Sequence, residues 1–158
     1  MSALQVGARA PDFELKATGD TTVRLSELLK QGKHVVIAFY PAAFSPVCGD
    51  ELSLFQEARD EFARLNAQVI AISVDNVWSA DAFAQAKGIA FPLLADFHPK
   101  GAVAEKFGVM RDDGIAERAL FIIDPRGVIR YSYVSPVAEN PGADRLLDAL
   151  EQMSAGGT

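Results

Sequence analysis

One stretch restricts what this chain can become: HVVIAFYPAAFSPVCGDEL, from His34 to Leu52. His34 to Phe39 is apolar, rich in Val and Ile, and bounded by Gly32 and Pro41, the pattern of a short buried strand. A loop follows, and then the spacing predicts a helix. Ser45 is a favoured N-cap type, and Pro46 falls at the first helical position, where a missing N–H costs nothing. Leu52, Phe55, Ala58 and Phe62 continue a helical apolar periodicity, so the helix is expected to run to about Leu65. This count puts Cys48 at the third helical position. N–H groups in a first helical turn lack an internal partner and the helix dipole is positive there, and both favour thiolate over thiol.

Cys48 is the only cysteine in the sequence. A lone cysteine is more often a small buried hydrophobe than a reactive group. Packing alone, however, requires no strand end, proline-punctuated loop and capped helix start in front of it. A nucleophile does.

At 158 residues the chain suits one domain, able to bury about two thirds of its unfolded surface without staples. Residues 1–153 are read as that domain and 154–158 as a frayed tail. The start, MSALQVGARAPDF, has no basic segment leading into an apolar run, and no run of about eighteen apolar residues occurs anywhere. The expectation is a soluble protein of a reducing compartment, most simply the cytoplasm, with no membrane partner. The net charge of −6, with basic residues scattered among acids, argues against nucleic acid.

The remaining elements alternate. Phe13 to Lys16 and Thr21 to Leu25 flank Thr18-Gly19-Asp20 and predict a hairpin, after which Ser26 caps a short helix to Lys30. Val69 to Val74 is a second buried strand, so the Cys48 helix becomes the crossover of a right-handed βαβ unit. Ser79 is expected to cap a helix that stops at Gly88. A strand over Phe91 to Ala95, a helix over Pro99 to Phe107 and a strand over Glu117 to Ile123 follow. The turn Asp124-Pro125-Arg126-Gly127 leads to a strand over Val128 to Tyr133, and Asn140-Pro141 opens a last helix. This is the element order of a thioredoxin-like fold: α/β, a central mixed β-sheet with helices on both faces and an N-terminal β-hairpin extension.

That order carries a geometric expectation. If the strand from Glu117 lies antiparallel beside His34 to Phe39, its start adjoins the other strand's end, and Arg118 sits close to Cys48. An isolated arginine is usually a surface ion-pair partner, but one placed there adds fixed positive charge and a fork of donors. The two histidines admit a rival reading as a thiol hydrolase. His34 lies at the wrong end of its strand, about 15 Å or more away. His98 follows a strand end, so geometry leaves it open, although beside Asp96 and Pro99 it reads as a solvated loop residue.

Pro41-x-x-x-Ser45-x-x-Cys48, with Phe39-Tyr40 before it, Glu51 after it and Arg118 downstream, resembles the peroxiredoxin active-site signature. FYPAAFSPVCGDEL, AFPLLADFHPKGAVAEKFGV and FIIDPRGVIRYS are similar to the one-cysteine alkyl hydroperoxide reductase E group, and the likeness runs from APDFEL to the last helix. The resemblance implies reduction of hydrogen peroxide, organic hydroperoxides or peroxynitrite without metal, haem or flavin. It implies Cys48 as the peroxidatic cysteine, Ser45 as the hydroxyl that bonds sulfur and peroxide, Pro41 as a shield against water and Arg118 as the activating charge. Threonine is commoner where Ser45 stands, and both carry the hydroxyl. The sequence has no counterpart of a resolving cysteine, so an external thiol or redoxin is the implied reductant. A homodimer with a contact near the active-site loop is also implied.

Neighbours of the motif are assigned to substrate contact. Tyr40, Phe39 and Phe44 are expected to form an apolar collar, with Val47 at its edge, and Glu51 to order the Arg118 side or complement the helix start. Trp78 and Phe83 read as helix packing or a subunit contact. Acidity alone does not make a fast peroxidase: lowering a thiol's pKa from about 8.5 to about 6 raises thiolate at pH 7 roughly thirtyfold but costs about tenfold in nucleophilicity. The site must also stabilise charge on the departing oxygen. Two other classes remain open at this point. One is a monothiol disulfide oxidoreductase, with Ser45-Pro46-Val47-Cys48 in the place of a C-x-x-C pair, and the other is a non-catalytic redox-sensing module.

Overall fold

A computed structural model describes residues 2–155. The apolar run His34–Phe39 forms β3, an interior strand of a seven-stranded sheet. Ala67–Ser73 (β4) lies parallel to it on one side, pairing Phe39 with Ile72, and Arg118–Ile123 (β6) lies antiparallel on the other, pairing Phe39 with Ala119. The crossover between β3 and β4 is helical but not continuous: Cys48–Glu57 (α2) ends at Ala58, and Arg59–Arg64 (α3) starts anew. The single helix expected to Leu65 is therefore two, and neither glycine nor proline marks the break.

The N-terminal hairpin consists of Glu14–Ala17 (β1) and Thr21–Arg24 (β2), with left-handed backbone at Gly19 and Asp20 in its turn. It extends the sheet, because β1 pairs antiparallel with Leu93–Ala95 (β5), which in turn lies parallel to β4. Ile129–Ser135 (β7) closes the other edge against β6 through the turn at Asp124, whose carbonyl accepts the Gly127 N–H at 2.8 Å. The strand order is β2-β1-β5-β4-β3-β6-β7.

Two expected caps are made by other residues. Leu25–Lys30 (α1) has no side-chain cap from its own boundary; the Ser26 N–H donates to Asp12 Oδ1 at 2.9 Å. Val77–Lys87 (α4) is capped by Asn76, whose Oδ1 accepts the Ser79 N–H at 2.9 Å, so Ser79 is the capped residue and not the cap. Asp144–Ala155 (α6) includes Ser154 and Ala155, two residues assigned to the tail from sequence, and 156–158 lie outside the described residues.

Strand alternation divides the core in two. Val36, Ala38 and Tyr40 face one side, where they meet Cys48, Leu52 and Phe55 of α2, Phe62 of α3, Phe83 of α4 and Leu146 of α6. Val35, Ile37 and Phe39 face the other, against Leu25 of α1, Phe121 of β6, and Val103 of Ala102–Lys106 (α5) with Phe107 beyond it. Helices thus cover both faces of a mixed sheet, in the thioredoxin-like arrangement.

Candidate active site

The site forms where β3 ends. Its chain passes through Tyr40 and the buried Pro41 into a tight loop and re-emerges as α2 with Cys48 at the first helical position, two places earlier than the sequence count. The cause is backbone that the sequence does not announce. Phe44 and Val47 both adopt positive φ, +63° and +78°. Val47 is the boundary residue of α2, and a β-branched residue held there costs about 1–3 kcal/mol. The first helical hydrogen bond is from Glu51 N–H to the Val47 carbonyl at 2.9 Å, so the N–H groups of Cys48, Gly49 and Asp50 precede the ladder.

Ser45 serves this loop instead of capping the helix. Its N–H and hydroxyl both address the Ala42 carbonyl, at 3.3 and 2.7 Å, and the same Oγ lies 2.8 Å from Cys48 Sγ. A hydroxyl carries one proton, so the carbonyl and the sulfur compete for it.

Arg118 arrives from β6. Leu120 and Ile122, on the same face of that strand, belong to the core around Cys48, and by the same alternation the Arg118 side chain turns to that face. Its Nη1 is 3.3 Å from Sγ and 2.7 Å from Glu51 Oε1, while Nε donates to the Val137 carbonyl at 2.9 Å. Three anchors therefore hold a guanidinium that is 1% exposed. Glu51 is fully buried, and its Oε2 has no hydrogen-bond partner. Burial pushes its carboxyl up to about 7 despite the opposing pull of Arg118.

The expected aromatic collar is only partly present. Phe39 points through the sheet and packs against Phe107 and Phe121, because consecutive strand residues cannot share a face. Tyr40 is buried on the Cys48 side against Phe83, and burial raises its phenol. Phe44 is 58% exposed, with its ring edge-on to Phe83 at 5.1 Å. Phe83 is core packing, whereas Trp78 is exposed. His98 is exposed after β5, and the side-chain hydrogen-bond partners of the sulfur are Ser45 and Arg118. Cys48 itself is buried, and Ser45 beside it is partly buried. Among the described residues, no group of three or more His, Cys, Asp and Glu side chains is placed to hold a metal ion.

The sequence profile of the AhpC/TSA family matches residues 6–132. The chain belongs to this peroxiredoxin family. Alkyl hydroperoxide reductase E of Mycobacterium tuberculosis is 35% identical over 153 residues, covering 96% of this chain and 99% of that protein. A chloroplastic 2-cysteine peroxiredoxin of Chattonella marina var. antiqua is 35% identical over 159 residues, covering 94% and 80%. The solved structure of peroxidoxin BcpB from Mycobacterium tuberculosis superposes with a TM-score of 0.84 at 32% identity, covering 97% of this chain and 99% of that one. With one cysteine in its sequence, this peroxiredoxin fits a one-cysteine group.

Sequence reasoning missed Asp75 and Val137. Asp75 Oδ2 accepts the Ala43 N–H of the active-site loop and the Ser73 hydroxyl, both at 2.7 Å. Its place just beyond the C-terminal end of β4, beside β3, was the available signal, since loops at adjoining parallel strand ends converge.

Proposed function

We propose that this protein is a thiol-dependent peroxidase in which Cys48 attacks hydrogen peroxide or an organic hydroperoxide and is restored by an external thiol. The observation that carries the reading is the pair of side chains on one sulfur, the Arg118 Nη1 donor at 3.3 Å and the Ser45 hydroxyl oxygen at 2.8 Å. A thiolate there attacks the terminal oxygen of the peroxide; the S–O bond forms, the O–O bond breaks, and the departing oxygen leaves as alkoxide or hydroxide and takes a proton. Arg118 and the free N–H groups at the start of α2 are the donors for the charge that builds on the departing oxygen. The product is a sulfenic acid on Cys48. A first external thiol displaces water from it to give a mixed disulfide, and a second releases the Cys48 thiol.

Pro41, buried at the loop entrance, limits water at the sulfur, and Glu51 holds the Arg118 fork. Tyr40 and Phe44 supply the apolar wall with Phe83, and Val47 fixes the backbone turn into α2. No described helix is long and apolar enough to cross a membrane, and a free catalytic thiol suits a reducing compartment such as the cytoplasm. A homodimer is the assembly that best accounts for the exposed rings of Phe44 in the active-site loop and Trp78 in α4, 58% and 78% accessible in the single chain.

The test is direct. Reduced protein mixed with one equivalent of hydrogen peroxide should lose its thiol rapidly, and dithiothreitol should sustain turnover. If Cys48→Ser consumes peroxide as fast as the native chain, the assignment fails.

A further inference from the structure

Ser45 has one proton and two acceptors at almost equal distance, the Ala42 carbonyl at 2.7 Å and Cys48 Sγ at 2.8 Å. Something must decide between them. The Ala42 carbonyl and the Ala43 N–H are the two ends of one peptide unit, and that N–H donates to Asp75 Oδ2 at 2.7 Å, a charge-assisted bond of short length. A carboxylate drawing on the N–H polarises the whole planar amide and makes its oxygen a stronger acceptor. The Ser73 hydroxyl, also 2.7 Å from Oδ2, fixes the direction of the carboxylate.

We infer that Asp75 is a positioning residue for peroxide reduction: through the Ala42–Ala43 peptide unit it holds the Ser45 proton on the Ala42 carbonyl, which leaves a lone pair of Ser45 Oγ free for the substrate beside the sulfur. The inference rests on the peroxidase reading and deepens it. The terminal oxygen that Sγ attacks carries a hydrogen, and that O–H needs an acceptor beside the sulfur. Ser45 Oγ, with its own proton turned away, accepts it and orients the O–O bond for displacement. When the S–O bond forms, the same hydrogen stays on oxygen as the sulfenic acid O–H, and the other oxygen leaves with the electron pair of the broken bond.

The relay separates two reactivities of one sulfur. Alkylation by iodoacetamide has no O–H to orient and does not need Ser45 as an acceptor. Asp75→Asn keeps a side-chain oxygen for the Ala43 N–H but loses the charge, and is expected to slow hydrogen peroxide oxidation of Cys48 about tenfold. Its alkylation rate should stay within about twofold of native, and its thermal unfolding should be unchanged. In a Ser45→Ala background, Asp75→Asn should have almost no further effect on peroxide oxidation, because the group it acts through is gone. Equal loss of both reactivities in Asp75→Asn, or an undiminished Asp75→Asn effect in the Ser45→Ala background, would overturn the relay. A native chain that consumes peroxide no faster than free cysteine sinks the peroxidase reading itself. A fast native chain with an unaltered Asp75→Asn variant sinks only the relay.

Discussion

Arg118 and Cys48 stand 70 residues apart in the chain and meet at 3.3 Å, because β6 begins where the antiparallel β3 ends. The strand pair sets the position of the arginine backbone, and three acceptors set its fork: Sγ and Glu51 Oε1 share Nη1, and the Val137 carbonyl takes Nε. The cation therefore needs no rearrangement when charge develops on a departing oxygen beside the sulfur.

Arg118→Lys should be severe, although the charge is kept. An ammonium is a point donor on a flexible stem and cannot serve Val137, Glu51 and the sulfur at once. Peroxide oxidation of Cys48 should fall by about a hundredfold or more. Stopped-flow loss of the titratable thiol reads this out, and a drop of less than about threefold would mean that only the charge matters.

Glu51 makes stability depend on pH in the sense opposite to most carboxylates. Its folded-state value, raised from 4.5 to about 7 by burial, means that between these limits the folded state binds more protons than the unfolded one. The contribution is fully present below 4.5 and is lost as pH rises through 7. Glu51→Gln, which still offers an oxygen to Arg118, should remove this slope. The difference in urea-unfolding free energy between native and E51Q should shift by up to roughly 3 kcal/mol over that interval, with native falling relative to the variant as pH rises. Taking the difference cancels Asp12 and Asp124, whose lowered values act in the other direction. A pH-independent difference would show that the Arg118 ion pair keeps Glu51 ionised throughout.

The pairing of Cys48 with Arg118 was legible in the sequence because two short apolar runs determine two strands, and alternation along each determines a face. The same rule of two could have rejected Phe39 from the collar once Tyr40 was placed there. What the letters did not disclose is the loop. Left-handed backbone at Phe44 and Val47 falls on residues that ordinarily avoid it, so Ser45-Pro46 resembled a helix cap when Ser45 in fact turns back to Ala42. The break at Ala58 is likewise unmarked by any helix-breaking residue. Asp75 escaped notice because its partner is a backbone N–H of another segment, a contact that no local spacing encodes.

Gly49, inside the first turn of α2, lies under the Lys87 side chain. A Cβ there would meet Lys87 Cε at 2.7 Å, and the obstacle is the far end of a flexible, exposed chain. Gly49 has ordinary helical backbone, so Gly49→Ala removes unfolded-state freedom while Lys87 swings aside. A gain of about 0.5 kcal/mol is expected from chemical denaturation. A loss instead would reveal that Lys87 holds its place over the helix start by more than packing.

The absence of a second cysteine from the sequence governs the fate of the oxidised enzyme. A sulfenic acid at Cys48 has no thiol within its own sequence to condense with, so oxidation should yield neither an internal disulfide nor a self-limited product. Without added thiol, intact mass should rise by one oxygen and, under excess peroxide, by a second as the sulfinic acid forms. With a small thiol present, the first trapped species should be a mixed disulfide on the peptide containing Cys48. Turnover should then increase in proportion to thiol concentration, because every resolving step is an encounter with an external molecule. Turnover independent of the added thiol at low concentration would point to resolution within the protein and so contradict the one-cysteine cycle.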